Sequence, residues 1–451
     1  MDFHGTMKIN RSGHLEIGGC DAVDLAKKFG TPLWVMDEAY VRKQCRCFSG
    51  AFMKKYPNTD VAYASKAFLS TAMAAIIKEE GLALDVVSGG ELFTALHAGF
   101  PAGRVYFHGN NKSEKELAIA VQSGVGRIVV DNFHELSRLE RIAGEMGKKQ
   151  VSIILRLTPG VEAHTHEYCK TGQEDSKFGF SIANGQAFEA VQRALAFNNL
   201  DLKGIHCHIG SQIFEVESFA VAAEIMMDFI GSIYQQTGYV ISELNLGGGF
   251  GIYYSEGDTP QNIDIYADRI MEMVTKCASK FSLPVPKVIV EPGRAIVGPA
   301  GTTLYTVGSV KDIPGVRKYV SVDGGMGDNI RPALYGAKYE GMVANKATAK
   351  PEELVSIAGK CCESGDMLIW DIQLPVMQAG DILAVSCTGA YCYTMSSNYN
   401  RLPKPAVVLV SDGQAEIIVR RETYEDLIRN DCLPERLQPE KTLPLAFKIR
   451  G

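Results

Sequence analysis

Lys66 closes the short apolar run "VAYAS" of residues 61–65, with Asp60 as the nearest acidic residue upstream. A primary amine at a strand end is a candidate nucleophile. Schiff-base chemistry needs the free amine, which desolvation and cationic neighbours favour. A lysine that merely snorkels from a strand end is the plain alternative. "LNLGGGFGIYY" (244–254) runs into four glycines within five residues. Successive unhindered amides there, Gly248 and Gly249 among them, can form an anion nest. The stretch has neither the GK[ST] of a nucleotide loop nor a dinucleotide fingerprint. "VEPGR" (290–294) sets Glu291 three residues before Arg294. The carboxylate could hold a proton on a heterocyclic nitrogen, and the guanidinium could clamp a carboxylate or phosphate with two parallel bonds. A salt-bridged loop is the simpler reading.

"HCHIGS" puts His206 and His208 on one side of a strand by period two, and "HTH" adds His164 and His166. Such histidines could ligate zinc. His208 could equally stack on a planar ring while Ser211 offers its hydroxyl and amide to an anion. "DGGMGDNIRPALYG" (323–336) spaces Arg331 and Tyr335 by four residues. "CCESGD" (361–366) presents the thiol of Cys362 beside Glu363, and "TGAYCYTMSSNYN" (388–400) supplies Tyr391. Cys361 and Cys362 are adjacent and lack the gap of a zinc motif.

These groups need a scaffold, and the chain from residue 38 alternates short apolar strands with amphipathic helices. Strands are predicted at 61–65, 82–87, 105–109, 127–130, 151–157, 202–210, 243–249 and 287–293, with a helix over 38–56 before the first. Ser88 with Glu91, and Asn132 with Glu135, read as capping boxes opening helices. Eight β/α units in this span predict a (β/α)8 TIM-like barrel, with a doubly wound open sheet as the alternative. In a barrel the C-terminal strand ends point into the site. Those ends carry Lys66, Asp85, His108 with Asn110, Arg156, His206 with His208, the glycine turn, and Glu291 with Arg294. After Gly298 strand-like pieces alternate with Gly, Pro and Asp turns, predicting a mainly β domain over 299–451. Residues 1–37 break the barrel rhythm and are expected to pack with that domain, leaving 38–298 as the barrel.

A formal charge of −6 over 451 residues, with no polybasic block, argues against nucleic-acid binding. No apolar run is long enough to span a membrane, and the opening "MDFHGTMKINRSGHL" lacks a secretory pattern. Eleven scattered cysteines, an odd number, point to a reducing cytoplasm.

Taken in order, "YASKA", "LDVVSGGEL", "PGVEAHTHEYCKTGQEDSKFG", "HCHIGSQ", "LNLGGGFG", "EPGR", "VDGGMGDNIRPALY", "CESGD" and "GAYCY" resemble the fold-type III pyridoxal-phosphate decarboxylases over essentially the whole chain. Within that family the long loop after the fifth strand is similar to the diaminopimelate branch. The resemblance implies an alanine-racemase-like barrel plus β domain, and pyridoxal 5'-phosphate as cofactor. It implies that Lys66 is the Schiff-base lysine, His208 the ring-stacking residue and Glu291 the partner of the pyridine nitrogen. Asp85, Arg156, Ser211, Gly248, Gly249 and Tyr391 would complete the cofactor site. Arg294, Arg331, Tyr335, Glu363 and Tyr391 would meet a small amino-acid substrate. Cys362 and Glu363 would enter a neighbouring subunit's site as catalytic residues, which implies a homodimer with shared active sites. No metal is implied. Decarboxylation of meso-2,6-diaminopimelate to L-lysine, the last step of lysine biosynthesis, is the expected reaction. The alternatives are a decarboxylase of ornithine, arginine or a carboxylated polyamine, a racemase, a cofactor-carrying barrel without activity, and a metal-dependent hydrolase.

Overall fold

The computed structural model describes residues 2–160 and 176–438. His164, His166 and most of the long polar loop after the fifth strand lie outside the described residues. Eight parallel strands close into a barrel: Thr59–Ala64, Ala83–Val86, Val105–Phe107, Arg127–Val130, Val151–Thr158, Leu200–His206, Glu243–Asn245 and Lys287–Val290. The last pairs back onto the first through Val288–Thr59 to Val290–Val61, and the fourth pairs with the fifth through Ile128–Ile153, so the ring of eight is closed and the open-sheet alternative falls.

Strands buried on both faces read as continuous apolar runs rather than alternating ones. Ala62, Ala83, Tyr106, Val129, Ile154 and Ile289 fill the barrel interior, while Val61, Tyr63 and Leu84 join the core beneath the helices. Each helix presents one apolar stripe to that core. Phe133–Glu145 buries Leu136, Leu139, Ile142 and Ala143 at helical spacing.

Asp60 lies near the start of the first strand, where Arg104 (3.1 Å) and Lys287 (2.8 Å) take its carboxylate. Five residues of strand and turn separate it from Lys66, which stands at the opposite rim. The nearest acid in the sequence therefore serves the barrel's other end.

Ser88 and Asn132 cap their helices as expected, accepting from the amides of Glu91 and Glu135. The boxes do not close. Glu91 instead accepts from the Val87 amide and the Ser65 hydroxyl, and Glu135 from the Asp131 amide and the buried Lys112. Both carboxylates brace strand ends rather than the cap residue. The helix over 38–56 is α-helical through Glu38–Ser49 and then widens into a π turn over Gly50–Lys54.

Beyond the barrel, a second sheet runs in the spatial order Met367–Leu374, Glu353–Ala358, Arg317–Val322, Gly301–Ile313, Leu33–Asp37, Ala406–Ser411, Gln414–Val419. Leu33–Asp37 is wholly buried and lies between Gly301–Ile313 and Ala406–Ser411. Leu15, Ile17, Leu25, Leu33, Val35, Leu304 and Val408 share one core cluster there. Nothing in the sequence pattern marks Met367–Leu374 as a strand. Trp370 and Asp371 are both exposed in its middle, Asp371 has φ 50°, and the pairing slips, so the period-two signal is lost. Among the described residues no helix is long and apolar enough to cross a membrane.

Candidate active site

A cavity of about 760 Å³ opens at the C-terminal rim of the barrel beneath the second sheet. That is the size of a site for a cofactor-sized ligand. It is lined by Lys66, Asp85, Arg156, His208, Ser211, Gly248, Gly249, Glu291, Arg294, Arg331, Tyr335 and Tyr391. The structure thus gathers every predicted site residue except Cys362 and Glu363. Those two are exposed and outside the cavity of their own chain, in a turn where the Cys362 amide donates to Asn400 (2.6 Å).

Lys66 sits in a 3₁₀ turn, Ser65–Ala67, just past the first strand, and is exposed into the cavity. The turn is tied to the second domain by the Tyr391 amide, which donates to the Ala67 carbonyl at 2.8 Å. Tyr391 holds φ 66°, a left-handed conformation that a bulky residue keeps only when its surroundings demand it.

Glu291 ends the eighth strand and is buried. Its Oε1 accepts from Asn245 Nδ2 (2.6 Å) and His108 Nε2 (2.8 Å), and its Oε2 from His206 Nε2 (3.3 Å). Burial alone would raise this carboxyl's pKa, but the two imidazoles overcome it and hold Glu291 ionised. Burial pushes His206 down to about 4. It also pushes Asp85 up to about 6, opposed by His108 3.8 Å away. His208 falls well below the usual histidine range through burial and the charges of Lys66 and Arg156, which leaves a neutral, flat imidazole in the cavity.

His108, His206 and Glu291 also form a group with ligand atoms within 4.8 Å of one another, the geometry of a candidate metal triad. The histidine pair expected from the sequence, His206 with His208, is not that group. Here the imidazole nitrogens facing Glu291 donate protons to an ionised carboxylate.

Two guanidiniums face the cavity from different domains. Arg294 donates to the Tyr254 hydroxyl (2.6 Å) and to Ser211 Oγ (2.8 Å), while its buried Nε has no hydrogen-bond partner among the described residues. Arg331, also buried, lies 5.6 Å over the ring of Tyr335, as the i, i+4 spacing implied. Tyr391 lies within cation–π range of both, at 4.8 Å from Arg294 and 5.5 Å from Arg331. Arg156 stacks on Phe178 at 4.1 Å, with Asp131 4.0 Å from its Nε.

Sequence reasoning missed Asn245, Tyr254 and the pairing of His108 with Glu291. The signal for Asn245 was available: an asparagine amid the apolar run "LNL" needs a partner when buried. It finds two, Glu291 and the Gly247 amide (2.9 Å).

The residues fit a planar, phosphorylated aldehyde with a ring nitrogen. A Cβ on Gly248 would run into the Glu291 carbonyl, and one on Gly249 would sit 2.5 Å from the Gly210 carbonyl, so only glycine fits this cradle. No described residue accepts a hydrogen bond from the Gly248 or Gly249 amide. Arg294 and Ser211 stand beside the same cradle, and Lys66 and Glu291 line the cavity.

The comparisons agree with that geometry. Residues 39–298 match the family model of the pyridoxal-dependent decarboxylase, pyridoxal binding domain. The chain is 56% identical to diaminopimelate decarboxylase of Bacillus subtilis (strain 168), over 96% of this chain and 98% of that protein. It is 54% identical to diaminopimelate decarboxylase of Halalkalibacterium halodurans, over the full length of both. A crystal structure of diaminopimelate decarboxylase from M. jannaschii, in complex with L-lysine, superposes with a TM-score of 0.90 at 36% identity, covering 96% of this chain and 99% of that one. An eight-stranded barrel with a lysine, a glycine cradle and a histidine-bound glutamate on its rim, matched to these relatives over nearly all its length, places the chain in the family of pyridoxal-dependent decarboxylases, among the diaminopimelate decarboxylases.

Proposed function

We propose that the protein decarboxylates meso-2,6-diaminopimelate to L-lysine and CO₂ with pyridoxal 5'-phosphate, the last step of lysine biosynthesis. One observation carries the reading. The amine of Lys66, the glycine cradle, the ionised Glu291 and the Arg294–Arg331 pair all line a single cavity. When bound, the cofactor supplies an electron sink for the pair left behind by departing CO₂.

The chain's own residues do the rest. Lys66 provides the amine that tethers the cofactor's aldehyde. Gly248, Gly249, Ser211 and Tyr391 hold the phosphate through amides and hydroxyls, and His208 lays a neutral ring face against the heterocycle. Glu291 keeps a proton on the ring nitrogen, a fixed charge placed where it is needed before reaction begins. Asp85 and Arg156 complete the cofactor's polar surroundings. Arg331 with Tyr335, and Arg294 beside them, read the substrate's remote carboxylate; ornithine lacks that group, so the buried guanidinium would go unpaired and discriminate strongly.

Cys362 and Glu363 are assigned to the site of a second copy in a homodimer, which accounts for their exposure here. The proton that replaces CO₂ then comes from Cys362 of that copy or from Lys66. The division into barrel 38–298, β domain 299–451 and an N-terminal segment 1–37 that joins the β domain belongs to the same proposal. So does a cytoplasmic location, where the described cysteines, all free, stay reduced.

The test combines spectroscopy and turnover. The purified protein should be yellow, borohydride should fix the cofactor to Lys66, and CO₂ release should be far faster from diaminopimelate than from ornithine or arginine. An adduct on another lysine, or faster release from ornithine, would overturn the assignment.

A further inference from the structure

We propose that Tyr339 is a positioning residue that sets the orientation of Arg331 and so the reading of the substrate's remote carboxylate. The inference rests on the role given to Arg331 above.

Tyr339 follows Gly336, whose φ of 60° ends the short helix Arg331–Tyr335 and turns the chain back beneath it. Its side chain is 4% exposed and does not line the cavity. The phenol oxygen accepts from Arg331 Nε at 2.8 Å, the one side-chain hydrogen bond of Arg331 among the described residues. Cys392 Sγ lies 3.7 Å from the same oxygen, a contact in which either group can donate, so the phenol is held from both sides.

With Nε engaged, the guanidinium presents its two terminal nitrogens, the edge that makes two parallel bonds to a carboxylate. Tyr339 also meets Tyr254 edge-on, ring centroids 5.5 Å apart, and the Tyr254 hydroxyl holds Arg294 at 2.6 Å. Both arginines of the site thus lean on this tyrosine pair. Removing the phenol oxygen leaves every ring in place and frees Arg331 to turn.

The experiment uses the cofactor-loaded enzyme and steady-state decarboxylation of diaminopimelate by Y339F, R331A, the double variant and R331K. A hydrogen bond to a charged group sets the scale. Y339F should raise KM about tenfold or more with kcat within about twofold and cofactor content unchanged. In the R331A background Y339F should add nothing, because the partner it orients is gone. R331K, which keeps the charge with Tyr339 intact, should lose nearly as much as R331A, since one ammonium cannot bond both the phenol and a carboxylate edge. A KM for Y339F within about twofold of wild type, an equal effect in both backgrounds, or a wild-type KM for R331K would each overturn the inference. R331K keeps it testable should Y339F fail to fold. An R331A enzyme with unchanged KM would instead overturn the role of Arg331 itself.

Discussion

Glu291→Gln removes one charge from the centre of the site and keeps its shape. The native carboxylate accepts from three N–H groups, of Asn245, His108 and His206. An amide has one acceptor oxygen and two protons of its own. Turned with its oxygen toward Asn245 and His108, its NH₂ meets the Nε2 of His206. His206 can answer, because its Nδ1 is buried without a hydrogen-bond partner among the described residues and can carry the ring proton instead. The fold should therefore survive, at a cost of about 1–3 kcal/mol as charge-assisted bonds become neutral ones. Catalysis should not survive. A neutral amide has no negative charge with which to keep the cofactor's ring nitrogen protonated, so the electron sink the bound cofactor would supply is weakened. Loss of one preorganised electrostatic partner costs on the order of 10²–10³ in kcat, about 3–4 kcal/mol of barrier. The assay is CO₂ release at saturating diaminopimelate, with thermal melting and cofactor content measured alongside. KM should stay near wild type, since Glu291 does not read the remote carboxylate. A kcat within about tenfold of wild type in a fully loaded variant would refute the charge argument.

If Cys362 is the proton donor, K66A and C362A are each inactive alone, and mixing them should restore activity. Equal mixing of two inactive homodimers puts half the molecules in hybrids with one intact site, so about a quarter of wild-type activity is the expected ceiling. No recovery after subunit exchange would remove Cys362 from the shared site. Thermal stability should fall on acidification. His206 is held neutral by burial with a pKa of about 4, whereas the unfolded chain takes up its proton near about 6.5. Between those values the unfolded state binds more protons, so stability rises with pH across that window and is lost as pH falls through it. From pH 6.5 to 5 this group alone contributes about 2 kcal/mol, and H206N should show a shallower acid limb in its melting temperature.

Much of the barrel was legible residue by residue. Strands such as "RIVV" and "VSIILRL" are buried on both faces, and capping residues such as Ser88 and Asn132 act within a few positions of themselves. Local chemistry of that kind survives translation into structure. The capping-box glutamates did not follow the local rule, because Glu91 and Glu135 had better partners across the rim: Ser65 for one, and Lys112 for the other. The strand Met367–Leu374 escaped notice for a related reason. Its bulge breaks alternation, and a broken period looks like a loop.

The residue types for the chemistry, and their order along the chain, are properties of the sequence by itself: a lysine at a strand end, glycines where no Cβ fits, a carboxylate and a guanidinium three residues apart. Which of them meet is not. His108 and Glu291 are 183 positions apart, and Tyr391 reaches the Lys66 turn from the other domain. Closure of the eighth strand onto the first makes the first meeting, and docking of the β domain over the rim makes the second. Hydrogen bonds act over about 3 Å, so only the folded chain can decide that the glutamate will be ionised and which way an arginine will face.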